Sequence, residues 1–303
     1  MTRRHGWHRL SRCWRWPFHR REWWQARRRG RNCSVTFFTA ALTGNHQDAC
    51  SQGSTRLQHA ATLPPVQNRI HHARLRSSRP LANQTVEYIF SHDEPELTFR
   101  PGQFLSLRVG EDADGNAVLR SYSIASSPEQ RGELRLVLRI LEDGVGSQFF
   151  AGLTPGQEIS FTGPMGFFVN ELSHTGDVVY VATGTGMAPI WPMLLETLAR
   201  PETGRVELFW GLRHEDDLFW QDELQSLTAR NPRFSAHIYL SQPRGFWRER
   251  GRVVPPVLEL LPSLTRPTFY LCGNGQMIEE CKAALIARGV ERKRQIRTEA
   301  FFD

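Results

Sequence analysis

Four short segments carry residue types suited to holding phosphates and flat rings. The first is Arg120-Ser121-Tyr122-Ser123, at the end of an alternating strand. Alternation puts Arg120 and Tyr122 on one face and Ser121 and Ser123 on the other. That arrangement offers a guanidinium to a phosphate, a ring for stacking and a hydroxyl; the same string also arises by chance in surface strands. The second is Gly144-Val145-Gly146-Ser147, leading into Gln148-Phe149-Phe150. Glycines followed by Ser at a helix start expose backbone N–H groups to an anion. A plain turn with Ser147 as N-cap fits these residues equally.

The other two segments are glycine turns. Thr183-Gly184-Thr185-Gly186-Met187-Ala188-Pro189 follows the apolar run Val178–Ala182, where a strand feeds a helix. Its glycines let backbone approach a pyrophosphate, and the helix N-terminus favours that charge. The spacing is not G-x-G-x-x-G, so the general dinucleotide fingerprint does not apply. Cys272-Gly273-Asn274-Gly275-Gln276 repeats the strand–turn–helix pattern. Cys272 also suits the commoner role of a small buried residue.

Positioning these segments requires two different frameworks. Short strands at Asn68–Leu75, Thr85–Phe90, Phe104–Val109, Val118–Ala125, Leu134–Ile140 and Glu158–Thr162 are separated by turn residues. With one helical turn near Ser147–Ala151, they predict a small antiparallel barrel over 66–172. From 176 to 303 the rhythm becomes strand–helix: strands Val178–Ala182, Val206–Trp210, Ala236–Ser241, Thr268–Cys272 and Ile296–Ala300. Helices are expected from Met187 to about Ala199 and over Leu218–Ala229, Pro256–Leu261 and Gln276–Arg288. This predicts a doubly wound parallel sheet with its ligand crevice at the strands' carboxyl ends.

The charge of +7 on 303 residues divides unevenly: residues 1–80 carry +14 and residues 81–303 carry −7. Residues 1–31 hold eleven Arg, five Trp and one acid, and residues 1–63 read as a disordered basic arm and linker. A targeting peptide, a secretory signal with Arg27–Arg31 before Val35–Leu42, and an Arg/Trp arm for anionic lipid or nucleic acid all fit it. The favoured reading is a segment with no folded role, from a misplaced start. No apolar run approaches the roughly 20 residues of a membrane helix, which excludes an integral membrane protein. The five Cys lack a C-x-x-C pair, so no metal or iron–sulfur set is expected, and they point to a reducing, cytoplasmic setting.

In their order, Pro101-Gly102-Gln103-Phe104, Arg120–Ser123, Gly144–Ser147, Gly163-Pro164-Met165-Gly166, Gly184–Pro189 and Cys272-Gly273-Asn274 resemble the ferredoxin–NADP reductase superfamily. The resemblance spans about 66–303 and implies an FAD-binding Greek-key barrel followed by an NAD(P)-binding domain. It implies that Arg120 pairs with the FAD pyrophosphate, Tyr122 packs on the isoalloxazine and Ser123 bonds near flavin N5. Gly144, Gly146, Ser147 and Gln148 would frame the pyrophosphate, the last three by their N–H groups. Gly184, Thr185, Gly186 and Met187, with Gly273 and Asn274, would meet the nicotinamide nucleotide. Cys272 would lie near nicotinamide C4, and Glu299 would supply a carboxylate near the reacting rings.

The implied activity is an NAD(P)H-dependent flavoprotein reductase: hydride passes to FAD, and electrons then leave to a separate acceptor. Ferredoxin, flavodoxin or an oxygenase component would be that acceptor, with no nucleic acid involved. A free-flavin reductase and the reductase component of a multicomponent oxygenase are the alternatives. The cofactor choice rests on Ser241-Gln242-Pro243-Arg244, after the third strand of the sheet. Ser241 and Arg244 suit a 2′-phosphate, and no acid follows before Glu249, so NADPH is expected ahead of NADH.

Overall fold

In the computed structural model, residues 69–301 are described, so the arm read at 1–63 lies outside the described residues. Six strands form the first half: β1 (His71–Ala82), β2 (Thr85–Ser91), β3 (Phe104–Glu111), β4 (Ala117–Ser123), β5 (Glu133–Arg139) and β6 (Glu158–Met165). Their order is β4-β3-β6-β1-β2-β5, with antiparallel neighbours throughout. The two edges meet through the Ile124↔Leu136 bridge, so the sheet curls into a barrel. Alternation along β5 buries Leu134, Leu136 and Leu138 inside, against Phe90, Leu105, Leu107 and Phe161. Each such side chain contributes roughly 1.5–3 kcal/mol of burial.

The first strand runs seven residues past its expected end at Leu75. Polar residues from Arg76 to Pro80 hide it in the sequence, yet they pair with β2 through two register shifts. Its hairpin with β2 turns at Gln84, where φ is +54°. Helix α1 (Val145–Ala151) lies on the barrel, and its Phe150 ring meets Tyr88, Phe90 and Tyr122.

The second half alternates β7 (Val178–Thr183), α2 (Met187–Leu198), β8 (Val206–Leu212), α3 (Gln221–Arg230), β9 (Phe234–Leu240), α4 (Val254–Leu260), β10 (Thr268–Asn274), α5 (Gly275–Ile286), α6 (Arg292–Gln295) and β11 (Ile296–Phe301). All five strands are parallel, in the order β11-β10-β7-β8-β9. Tyr180 and Ala182 of β7 face one layer with α2, while Val179 and Val181 face the other with α4 and α5. Helix α3 starts three residues later than the periodicity suggests. Trp220 adopts left-handed geometry and is buried with Phe219 beside Trp210, ahead of the first turn.

One apolar cluster joins the halves. Ala125, Val137 and Phe168 from the barrel side pack with Met187, Met193, Leu194 and Trp210 of the α/β side. The barrel's β4 end and the carboxyl ends of the parallel strands are thereby held together.

Candidate functional site

Strand β4 and helix α1 meet at Tyr122. A Cβ at Gly146 would stand 2.1 Å from the Tyr122 hydroxyl and 3.6 Å from Arg120 Cγ, so only glycine admits this approach. Tyr122 meets Phe150 edge-on at 4.8 Å. Burial pushes its phenol up to about 12, against the opposing pull of the Arg120 charge. The Arg120 guanidinium is exposed, donates to the Leu119 carbonyl, and has no carboxylate partner among the described residues. A cation, a half-buried ring and a glycine at a helix start therefore lie together.

Beside this cluster the three residues of the expected catalytic set come together. Ser123 Oγ donates to Glu299 Oε1 at 2.8 Å. Glu299 on β11 is the register partner of Cys272 on β10. Burial raises the Glu299 carboxyl to about 7, with the Ser123 bond opposing it. Burial, and then the Glu299 charge, hold the Cys272 thiol well above its usual range. It is a neutral thiol, not a thiolate nucleophile.

The two glycine turns touch each other. A Cβ at Gly186 would lie 2.5 Å from the Cys272 carbonyl, and one at Gly273, where φ is +119°, would lie 2.4 Å from Thr183 Oγ1. The Asn274 N–H donates to Thr183 Oγ1 at 2.9 Å, and the Asn274 side chain caps α5. Trp210 Nε1 fixes the Gly184 carbonyl at 3.0 Å. These turns open onto a cleft of about 600 Å³ at the strands' carboxyl ends. Gly273, next to Cys272, and Phe301, two residues beyond Glu299, both line it.

Residues 72–169 match the oxidoreductase FAD-binding domain family and residues 180–283 the oxidoreductase NAD-binding domain family. Ferredoxin–NADP reductase B of Sorangium cellulosum is 32% identical, over 72% of this chain and 91% of that protein. The chain belongs to the ferredoxin–NADP reductase family. The toluate 1,2-dioxygenase electron transfer component of Pseudomonas putida is 28% identical, over 78% of this chain and 69% of that one. A ferredoxin NADP+ reductase from Neisseria gonorrhoeae, solved with FAD and NADP, shares the fold. Its TM-score is 0.67 at 24% identity, covering 78% of this chain and all of that one (100%).

The residues present in this reductase fit both cofactors its family domains bind. The cluster of Arg120, Tyr122 and Gly146 suits a pyrophosphate beside a planar ring, and the cleft at Thr183–Thr185 suits a dinucleotide. Several expected contributions are placed differently. Ser147 is not the N-cap; Gly144 is, and the Ser147 hydroxyl instead accepts the Leu141 N–H at 2.9 Å. It braces the loop before α1. The Gln148 N–H already bonds the Gly144 carbonyl at 2.9 Å, so it is not a donor for a cofactor. Met187 is fully buried in the core and Gly186 is pressed on Cys272; of that turn, Gly184 and Thr185 line the cleft.

Arg244 is the largest departure. Its guanidinium pairs with Asp216, and its backbone N–H donates to Glu215. The absence of an acid in the chain before Glu249 misleads, because the fold brings carboxylates from the end of β8. Ser241 does line the cleft, and its hydroxyl donates to the Leu212 carbonyl at 3.3 Å.

Sequence reading missed Asn83, Arg139 and Arg213, which also line the cleft. Arg139 and Asn83 come from the barrel side. Gln84 Oε1 accepts from Arg139 Nε at 3.2 Å and from its Nη2 at 2.9 Å, aiming a cation that makes no ion pair among the described residues. The Asn83 N–H donates to the Asp216 carbonyl at 2.7 Å. The one available signal was an Arg ending the alternating run Leu134–Ile140, and alternation says nothing about what lies opposite.

Proposed function

We propose that this reductase takes hydride from NAD(P)H and passes electrons to a separate acceptor protein, such as ferredoxin, flavodoxin or an oxygenase component. The observation carrying this reading is the convergence of Ser123, Cys272 and Glu299 beside the nucleotide cleft, which Gly273 and Phe301 line. When bound, FAD and the nicotinamide supply two-electron hydride exchange and stepwise electron release. The chain supplies alignment, charge and a proton path.

Alignment comes first. Arg120 and Gly146 hold the flavin's phosphates and Tyr122 its ring, while Thr183, Gly184, Thr185 and Gly273 receive the dinucleotide. Cys272 is fully buried and neutral, so its task is to shape the wall against which the nicotinamide lies. Positioning of this kind accounts for the larger share of the rate. The proton path is the second contribution. The Ser123 hydroxyl donates to Glu299 Oε1, and a carboxyl near 7 gains or loses its proton at neutral pH. Ser123 Oγ thus hands protons to and from the reacting edge without a large energy step.

Residues 66–172 hold the flavin and 176–303 the nucleotide in this reading. The relatives include electron transfer components of dioxygenases, which supports delivery to a protein partner. No helix among the described residues is long and apolar enough to cross a membrane. A cytoplasmic location is part of the proposal, supported by the free thiols Cys272 and Cys281. The test is to purify the full chain, add NADH or NADPH, and follow bleaching of bound flavin and reduction of candidate acceptors. Protein that holds no flavin yet reduces added flavin would make it a free-flavin reductase instead.

A further inference from the structure

The turn after β9 already holds an anion of its own. The Glu215 carboxylate accepts the Arg244 N–H at 3.0 Å and the Gly245 N–H at 2.8 Å, one oxygen to each. The Arg244 guanidinium pairs with Asp216. Two successive backbone N–H groups and a guanidinium are the donor set that a phosphomonoester needs. Here the protein's own carboxylates take all three. The backbone bonds hold the Glu215 carboxyl down at about 2, so it stays ionised at any working pH.

Further carboxylates and cations stand around the turn. Asp217 lines the cleft and accepts the His214 N–H at 3.0 Å. Three carboxylates, at 215, 216 and 217, share this rim with Arg213, Arg244 and Arg250, whose guanidinium donates to the Gly245 carbonyl at 2.7 Å. Arg252, also in the lining, sits 3.4 Å from Glu280. A 2′-phosphate would have to displace Glu215 from its N–H pair, remain beside that displaced carboxylate, and compete with Asp216 for Arg244. A ribose 2′-hydroxyl faces none of these costs, and it can donate to a carboxylate.

We propose that this turn selects NADH over NADPH, with Glu215 standing where a 2′-phosphate would bind and Asp216 withholding Arg244. The inference rests on the NAD(P)H reductase reading above and reverses the NADPH expectation drawn from Arg244.

The test uses the full-length holoprotein and two readouts. Calorimetry compares 5′-AMP with 2′-phospho-AMP, and steady-state assays compare kcat/KM for NADH and NADPH. Wild type should bind 5′-AMP at least as tightly and prefer NADH. Asp216→Asn, an exposed and conservative change, should improve 2′-phospho-AMP binding and the NADPH/NADH ratio of kcat/KM by about fivefold, the size of an exposed ion-pair effect. Adding Arg244→Ala should cancel that gain. A wild-type preference for NADPH, or an Asp216→Asn variant with both ratios unmoved, overturns the proposal. Failure of both dinucleotides to reduce the flavin would instead sink the reductase reading, and the two AMP ligands would still read the selectivity.

Discussion

Ser123 Oγ donates to Glu299 Oε1 at 2.8 Å, joining the end of β4 to the edge strand β11 across 176 residues of sequence. The bond crosses from the barrel to the parallel sheet, and the adjacent Cys272 is fully buried. Among the described residues, this side-chain link between the two halves lies in the proposed reaction centre. Its carboxyl is raised by burial, which gives the site a titration near neutrality.

That raised carboxyl has a signed consequence for stability. The folded state favours protonated Glu299, so its contribution is complete below the ordinary 4.5 and lost as pH rises to about 7. Wild type should lose stability relative to Glu299→Gln across that window, with a constant difference above it. Denaturant melts of both proteins from acid to mildly alkaline pH check this. Parallel curves for the two proteins would contradict the raised carboxyl.

Glu299→Gln should also flatten the pH dependence of flavin reduction near 7, because Gln neither takes nor gives a proton. Stopped-flow reduction by NADH against pH measures it. A preserved inflection near 7 would assign the titration to another group.

Arg120→Ala should weaken FAD by about tenfold to a hundredfold, the loss of a charge-assisted contact of about 1.5–3 kcal/mol. The fold should persist, since the guanidinium is exposed. Flavin fluorescence titration of refilled apoprotein is the measurement. Undiminished affinity would leave the cluster without its phosphate anchor.

Arg139→Gln should raise the KM for NADH and for NADPH together, by about fivefold, while FAD stays bound. The charge is aimed into the cleft by Gln84, not toward Arg120 or Gly146. An effect confined to one dinucleotide would move Arg139 from the shared pyrophosphate region to the ribose end.

Gly186→Ala should cost about 1–3 kcal/mol of stability, as a forced contact in a packed region does. Its new methyl would meet the Cys272 carbonyl 2.5 Å away, and backbone cannot swing aside as a side-chain tip can. Thermal melting reports the cost. An unchanged Tm would mean the two turns lie further apart than described.

Much was legible because it is local. Alternation along Leu134–Ile140 marks a barrel strand, strand–glycine–helix marks Val178–Pro189 and Thr268–Gln276, and both survive in the structure within a few residues. These signals come from the period of the side chains and the steric freedom of glycine, which near neighbours in the chain decide. The separation into an antiparallel half and a parallel half follows from the same periods, as does the shared face of Arg120 and Tyr122; their association with Gly146 was implied by the family resemblance.

What only the tertiary structure decided are the partners of charged and polar side chains. Glu215 and Asp216 reach Arg244 from 29 and 28 residues away because β8 and β9 are neighbours and end at the same edge. Arg139 enters the nucleotide cleft because the β1–β2 hairpin packs across to Asp216. The Ser147 hydroxyl is taken by the Leu141 N–H and the Gln148 N–H by the Gly144 carbonyl, bonds within their own loop and helix. A backbone period fixes which face a residue occupies. Which charge stands opposite depends on how sheets stack and strands are ordered, and those long-range contacts leave no period in the chain.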